Sequence, residues 1–534
     1  MHTLTLDGRP VSMPEGSTIL EAARRLGIAI PTLCHRDGLP PGTSCMVCVV
    51  EIDQSNRLVP ACAYPVRTGL VVRTDTPSVR DARRAAVELL MGEHAGDCEG
   101  LCRRGCPAGM NIPLMIRQLA AGRTAEALET VRRDIALPAV LGHICPAPCE
   151  KVCRRARLDQ PVSICLLKRF SADHGPAAPV RVAPDSGRRV AIVGAGPAGL
   201  AAAFYLGLLG HACVVFDDQP EPGGALRRDV PIDRLPRAVL DREIEVIRGL
   251  GVSFRSGIRI GRDLTLADLR GAHDAVILTV GAADAAQAAA LGLPASPQGL
   301  QADSHTFATP VPGLFAAGGA VHPLKMAIRA CAEGKACAEA CDMYLKRGQP
   351  AAVPRRFNSV VSKLTDTELR DARSQVSEGA RVDPAAGVPG GFTAAEAVAE
   401  AKRCLRCDCR KSEACGLRAA VETLGADARR YVEQERQPVE VLRHSNGLLF
   451  EPGKCIKCGV CIRLARQHPE VPGLDFAKRG FQMRVSPPVG ETMATALGGV
   501  AAAVVAACPT GALAWDEGEE KPGLAPDENR GAAG

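Results

Sequence analysis

Twenty-three cysteines, most of them at short regular spacings, constrain this 534-residue chain more than any other feature. Cys34, Cys45, Cys48 and Cys62 follow C-x10-C-x2-C-x13-C. Cys98, Cys102, Cys106, Cys145, Cys149, Cys153 and Cys165 fall in one block. Cys404, Cys407, Cys409 and Cys415 are spaced x2, x1, x5. Cys455, Cys458 and Cys461 are spaced x2, x2, and Cys508 opens "CPTGAL". Secreted disulfide scaffolds are short, whereas this chain is long and its start, "MHTLTLDGRPVSM", is polar rather than signal-like. Metal or iron–sulfur ligation is therefore expected. The remaining four, Cys213, Cys331, Cys337 and Cys341, read as core: Cys213 lies in a strand, and Cys337 and Cys341 are one helical turn apart.

Charge and aromatic content exclude other classes. The net charge of +6 comes from 65 basic and 59 acidic residues, too balanced to point to nucleic acid, and 3% aromatics leave no base-stacking platform. The longest weakly polar run, "ALGGVAAAVVAAC", is too short to span a membrane. A cytoplasmic protein of about three to five domains is expected.

In residues 1–80, "HTLTLDG" predicts a strand and turn. "STILEAARRLG" predicts a helix with Thr18 and Glu21 as a capping box and Gly27 as its stop. Two close cysteines on a glycine-bearing loop, with one before and one well after, is the logic of a plant-type [2Fe–2S] site; zinc is the alternative. The long first gap resembles the ferredoxin-like domain at the front of the large iron–sulfur subunit of NADH dehydrogenase, and of related hydrogenases and formate dehydrogenases. That resemblance implies a β-grasp domain.

Residues 81–175 are predicted mostly helical. "CPAGMNIP", "GHICPAPCEKVCRR" and "SICLLKRF" resemble the N-terminal domain of the glutamate synthase small subunit and of dihydropyrimidine dehydrogenase. The resemblance implies two cross-strung [4Fe–4S] clusters, one on Cys98, Cys102 and Cys153, the other on Cys106, Cys145 and Cys149 with Cys165 as fourth ligand. The first set lacks a fourth ligand, and His94 is the candidate; a histidine that only neighbours the ligands or lies at the surface is the alternative. H-x3-C also resembles the histidine-ligated cluster of NADH dehydrogenase.

Residues 186–345 open with "RVAIVGAGPAGL". An apolar strand, Gly194, Gly196 and Gly199 at the strand-to-helix turn, and a second strand "ACVVF" ending at Asp217, 18 residues past Gly199, form a dinucleotide site. "PGGALRRDVPIDRLP" resembles the stretch after the FAD motif in the glutamate synthase small-subunit family. It implies FAD, with Gly223, Gly224 and Arg227 beside it. "GLFAAGGAVHP" resembles the second FAD motif through Gly318, but Gly319 stands where aspartate is usual. In those relatives a whole NAD(P)H domain follows the strand here represented by "DAVILTVGA". Thirty residues separate that strand from "GLFAAGG", no more than one βαβ unit requires, so the NAD(P)H subdomain is expected to be absent.

Residues 346–400 read as an extended linker whose end, "FTAAEAVAEAKRC", is helical. Residues 401–450 read as a Cys-rich module holding one site, a [4Fe–4S] cluster or zinc, on Cys404, Cys407, Cys409 and Cys415. In residues 451–515 the bacterial ferredoxin run is broken at Ala465, and Cys508 alone keeps the second run, with Gly498, Ala501 and Val504 at its other ligand positions. The fourth cysteine of such a run ligates the other cluster, so one [4Fe–4S] cluster is expected on Cys455, Cys458, Cys461 and Cys508. Residues 516–534 are expected to be disordered.

The expected fold class is multidomain α+β and α/β: a β-grasp ferredoxin-like domain, a helical double-cluster domain, a Rossmann-like FAD domain and a C-terminal ferredoxin-like [4Fe–4S] domain. The expected cofactors are FAD, one [2Fe–2S] and three to four [4Fe–4S] clusters. The resemblances imply an electron-transfer subunit of an NAD(P)-linked oxidoreductase complex of formate dehydrogenase, hydrogenase or NADH dehydrogenase type. Its partners would be an NADH-oxidising FMN/iron–sulfur subunit and a terminal dehydrogenase or hydrogenase subunit, with no nucleic acid and no membrane span. A glutamate synthase small-subunit homologue and a scaffold with degenerate cofactor sites are the alternatives.

Overall fold

The computed structural model describes residues 1–53, 55–175, 182–352, 356–361, 363–432 and 436–516. The tail expected to be disordered lies outside them from residue 517 onward. The chain divides into two compact units. One comprises Met1–Glu99, Arg356–Ala372 and Asp408 onward; the other comprises Gly100–Arg355 and Arg373–Cys407.

The first unit begins with strands His2–Leu6 (β1), Arg9–Met13 (β2), Val49–Ile52 (β3), Arg57–Pro60 (β4) and Val71–Arg73 (β5) in the order β2-β1-β5-β3-β4. β1 and β5 run parallel and the other pairs antiparallel. Alternation puts Leu4, Leu6, Val11, Val50 and Val72 in the core beneath helix Ile19–Arg25. Both bonds of the Thr18–Glu21 capping box form, and Gly27 follows the helix at φ 72°. Helix Pro77–Gly92 then carries the chain to His94.

The C-terminal part of the same unit has a three-stranded sheet (Leu442–Arg443, Leu448–Phe450, Leu513–Trp515) with helices Val460–Ala465 and Ala501–Ala507 packed near it. Ala501 and Val504, at positions of the second ferredoxin run, are buried with Leu448, Phe450 and Ile462.

The second unit joins a helical bundle to a parallel sheet around one core. Strands Arg189–Val193 (β6), Ala212–Asp217 (β7), Ser253–Ser256 (β8), Ala275–Leu278 (β9) and Leu314–Ala316 (β10) take the order β10-β9-β6-β7-β8. The central strands are continuous apolar runs because helices cover the sheet. Between β9 and β10 the described residues form helix Ala285–Ala290 and a hairpin of two-residue strands.

The linker expectation is corrected. Residues 346–400 contain helix Asp366–Ser374. Thr365 and Glu368 form reciprocal bonds at its start: the Thr365 N–H donates to Glu368 Oε2 at 2.7 Å, and the Glu368 N–H donates to Thr365 Oγ1 at 3.2 Å. This T-x-x-E capping signal is present in the sequence.

Candidate functional site

In the first unit Cys34, Cys45, Cys48 and Cys62 are all buried on one loop system. Their sulfurs are close enough to hydrogen-bond. Bonds from Cys45 and Cys62 pull the Cys34 thiol far down, and a bond from Cys62 holds Cys48 down to about 7. The donating thiols Cys45 and Cys62 are raised in turn. Buried Arg83 donates to Val49 O at 3.0 Å and places its charge beside Cys48.

Cys455, Cys458, Cys461 and Cys508 line one small cavity, walled by Phe450, Val460, Val485 and Leu513. Burial pushes Cys455 up to about 11 and Cys458 to about 12. Arg463 ties this loop to the first. Its guanidinium donates to Cys34 O at 2.7 Å and Cys458 O at 3.3 Å, and also to Pro40 O. Gln467 adds a bond to Gly38 O at 2.8 Å, and Arg36 one to Ala507 O at 3.1 Å.

In the second unit Cys106, Cys145, Cys149 and Cys165 line a small cavity with Lys168. Lys168 is buried, and its Nζ donates to Leu141 O at 3.0 Å. Burial opposes its charge, but the surrounding thiolates outweigh burial and hold the ammonium above its usual range. A bond from Cys165 lowers Cys145 to about 7, while burial pushes Cys149 to about 12.

The remaining eight expected ligands are grouped otherwise than the resemblance and the Cys404–Cys415 spacing imply. Cys102 and Cys153 line a small cavity in the second unit with Cys404 and Cys407, not with Cys98. Two fully buried arginines bring residues 377–404 to this place. Arg155 pairs with Asp159 at 2.8 Å and donates to Ser377 O at 2.9 Å and to Arg403 O. Arg403 reaches Asp159 at 3.1 Å, Gly379 O at 3.0 Å and Glu400 at 2.9 Å.

Cys409 and Cys415 belong instead to the first unit, with Cys98. The Cys409 N–H donates to Cys98 O at 3.2 Å, and Cys415 lies within electrostatic reach of both. Buried Arg418 binds Glu99 at 3.0 Å, Phe357 O at 2.6 Å and Ser412 O at 3.0 Å, clamping three distant segments together. His94, Cys98 and Cys409 all sense the buried ammonium of Lys454, which pairs with Glu451 at 2.7 Å. The His94 Nδ1 is buried without a hydrogen-bond partner, and burial holds its imidazole down to about 4. Spacing alone could not reveal this exchange, since its determinants are arginine clamps far along the chain.

The glycine loop follows β6. A Cβ at Gly199 would collide with Gly194 O, and one at Gly194, at φ 104°, with Thr279 O; only glycine allows this approach. Gly196, at the N-terminus of helix Pro197–Leu208, faces open space. Asp217 accepts the Ala195 N–H at 2.5 Å and the Gln219 N–H at 2.9 Å. The Gly223 N–H donates to Ala195 O at 2.9 Å, and Gly224 packs on Gly196. Arg227 is held by Glu221 at 3.2 Å and by Asp241. Gly318 packs near Ala198, and its N–H donates to Glu333 Oε2 at 3.0 Å. Glu333 thus brings a carboxylate to the motif in which Gly319 stands in place of aspartate. The four cysteines outside the sets are buried, and burial pushes Cys213 and Cys331 to about 12.

Comparison with known proteins matches three segments. Residues 1–77 match the 2Fe-2S iron-sulfur cluster binding domain, 92–179 dihydropyrimidine dehydrogenase domain II with its 4Fe-4S cluster, and 192–253 the NAD(P)-binding Rossmann-like domain. NADPH-Fe(3+) oxidoreductase subunit beta of Geobacter sulfurreducens is 42% identical over 187 residues, covering 34% of this chain and 28% of the relative. NADP(+)-dependent formate dehydrogenase subunit beta of Moorella thermoacetica is 39% identical over 205 residues, 34% and 29% of the two chains. Glutamate synthase [NADPH] small chain of Mycobacterium tuberculosis is 37% identical over 187 residues, 34% and 38% of the two chains. The chain spans well under half the length of these relatives. One polypeptide thus joins segments similar to a [2Fe–2S] domain, to the [4Fe–4S] domain II of dihydropyrimidine dehydrogenase and to a nucleotide-binding Rossmann-like domain.

Proposed function

We propose that this chain is the FAD- and iron–sulfur-bearing electron-transfer subunit of a cytoplasmic NAD(P)-linked oxidoreductase complex. It relays electrons between a partner nicotinamide/FMN subunit and a terminal redox subunit of formate dehydrogenase, hydrogenase or NADH dehydrogenase type. The observation that carries this reading is the presence of three separate cavities, each lined by four thiols, on a chain that also holds a four-thiol loop and a dinucleotide fold. Among the described residues no three His, Cys, Asp or Glu side chains meet closely enough for a single metal ion. Among the described residues no helix is long and apolar enough to cross a membrane.

In this reading Cys34, Cys45, Cys48 and Cys62 hold the [2Fe–2S] cluster. Cys106, Cys145, Cys149 and Cys165 hold one [4Fe–4S] cluster, and Cys455, Cys458, Cys461 and Cys508 another. Gly194, Gly196, Gly199, Asp217, Gly223, Gly224, Arg227 and Gly318 shape the FAD site. FAD supplies the exchange between two-electron hydride transfer and the one-electron steps of clusters. Lys168 keeps a positive charge beside its thiolates, and Arg463 holds the Cys34 and Cys458 loops at fixed separation. The short segment between β9 and β10 supports a chain without its own NAD(P)H subdomain. In an anaerobic mix with NADH, the isolated chain is expected to keep its flavin oxidised until the nicotinamide-oxidising partner is added. Rapid bleaching in the isolated chain would overturn that assignment.

The 37% identity to the glutamate synthase small chain favours a second reading, in which the chain serves a glutamine-using large subunit. Glutamate formation from glutamine and 2-oxoglutarate in a reconstituted complex discriminates the two.

A further inference from the structure

We propose that the run from Cys404 to Cys415 is divided between two separate iron–sulfur centres. Cys404 and Cys407 complete one with Cys102 and Cys153; Cys409 and Cys415 complete another with Cys98 and His94. The proposal rests on the reading of the chain as a cluster carrier.

The first set lies in largely apolar surroundings. Its four thiols share one cavity with Leu101, Pro113, Ile116, Val162, Ile164 and Leu405. The clamp of Arg155 and Arg403 on Asp159, Ser377 and Gly379 fixes Cys404 there at the cost of burying two guanidinium groups. Buried charges persist where they are fully bonded, and these two carry carboxylate and carbonyl partners on both sides. Glu400 completes the brace, accepting the Ser163 N–H at 2.8 Å and the Val382 N–H at 2.9 Å.

The second set stands on independent observations. Cys409 is bonded to Cys98 through the backbone, and its Sγ occupies the place that a Cβ on Gly511 would take. The His94 Nδ1 is a buried polar atom without a partner, a costly state that ligation would relieve. Lys454 threads past Gly96, where a Cβ would strike its stem, and supplies a buried positive charge near His94, Cys98 and Cys409. The division leaves each set with four donors. It also removes the strain of fitting Cys407 and Cys409, one residue apart, around a single core.

Division of the run has a consequence for electron flow. Cys407 and Cys409 are joined through Asp408 alone, and a chain reaches at most about 3.6 Å per residue. One ligand of each centre is thus tied to one of the other by two residue steps, a Cα–Cα span of at most about 7 Å.

The test uses the full chain, purified anaerobically. Cys404→Ser with Cys407→Ser, Cys409→Ser with Cys415→Ser, and the fourfold variant are compared with the parent for iron, acid-labile sulfide and low-temperature EPR. Each double variant is expected to lose about four irons and a different EPR signal, and the fourfold variant about eight. A fourfold variant that loses no more than either pair, or two pairs that lose the same signal, overturns the division. Retention of the [2Fe–2S] signal reports that the variants fold. If they do not, pulsed EPR on parent protein labelled with 15N-histidine decides. A directly coupled histidine nitrogen on one [4Fe–4S] signal supports the second set, and its absence from all of them overturns it. A parent without iron overturns both this proposal and the functional reading beneath it.

Discussion

Replacing Lys168 by methionine should lower the potential of one centre and no other. The side chain is 4% exposed, its ammonium donates to Leu141 O at 3.0 Å, and it lines the cavity of Cys106, Cys145, Cys149 and Cys165. Each electron added to a cluster there is attracted by this charge. At a separation of about 6 Å and an effective dielectric near 20 the attraction is about 3 kcal/mol. At about 2.3 kcal/mol per 100 mV, losing it lowers the midpoint potential by about 120 mV. Methionine keeps the length and apolar stem, so the cavity is conserved while the charge is removed. An anaerobic redox titration followed by EPR resolves the centres. The expected result is one [4Fe–4S] signal displaced downward, with the iron content and the other signals retained. A displacement below about 20 mV, or an upward one, would refute the electrostatic argument.

Further outcomes follow from the same geometry. Glu243, buried and accepting the N–H groups of Ala139 and Val140 at 3.0 and 2.9 Å, is pushed by burial from 4.5 to about 7. An acid raised in the fold binds more protons folded than unfolded, so its contribution to stability falls as pH rises from about 4.5 to 7, by about 3 kcal/mol. Glu243→Gln should flatten that part of the melting-temperature profile, and parallel profiles would count against the assignment. Gly199→Ala drives a Cβ into Gly194 O and to within 2.6 Å of Thr279 Oγ1. It should destabilise the domain by about 1–3 kcal/mol, read by urea denaturation, and strip the flavin, read by absorbance after gel filtration. Arg463→Ala removes the donor shared by the Cys34 and Cys458 loops. It should cost about 2 kcal/mol and slow electron transfer between the [2Fe–2S] and C-terminal [4Fe–4S] centres in stopped-flow traces; unchanged transfer would show that the tie is not needed.

Local signals in the sequence carried most of the secondary structure around the sites. The Thr18–Glu21 capping box, the strand–glycine–helix turn at Gly194 and the apolar replacement of the second ferredoxin run are contiguous patterns with short-range causes. Thr365–Glu368 had the same kind of signal, hidden in a segment otherwise rich in small and polar residues. The exchange of Cys98 for Cys404 and Cys407 in the set with Cys102 and Cys153 had no local signal. Arg155, Arg403 and Arg418 look like ordinary surface charges in sequence, yet each is fully buried and bonds to at least one carbonyl more than 60 residues away in sequence. Long-range clamps of this kind are invisible to periodicity and motif spacing. The bond from the Gly318 N–H to the Glu333 carboxylate is likewise a tertiary contact without a local signal.

Iron, acid-labile sulfide and flavin analysis of the anaerobically purified chain tests the central claim most directly. One [2Fe–2S] and four [4Fe–4S] centres with FAD should give about 18 irons, an equal number of sulfides and one FAD per chain. A folded chain with zinc in place of iron, or with no flavin, would contradict it.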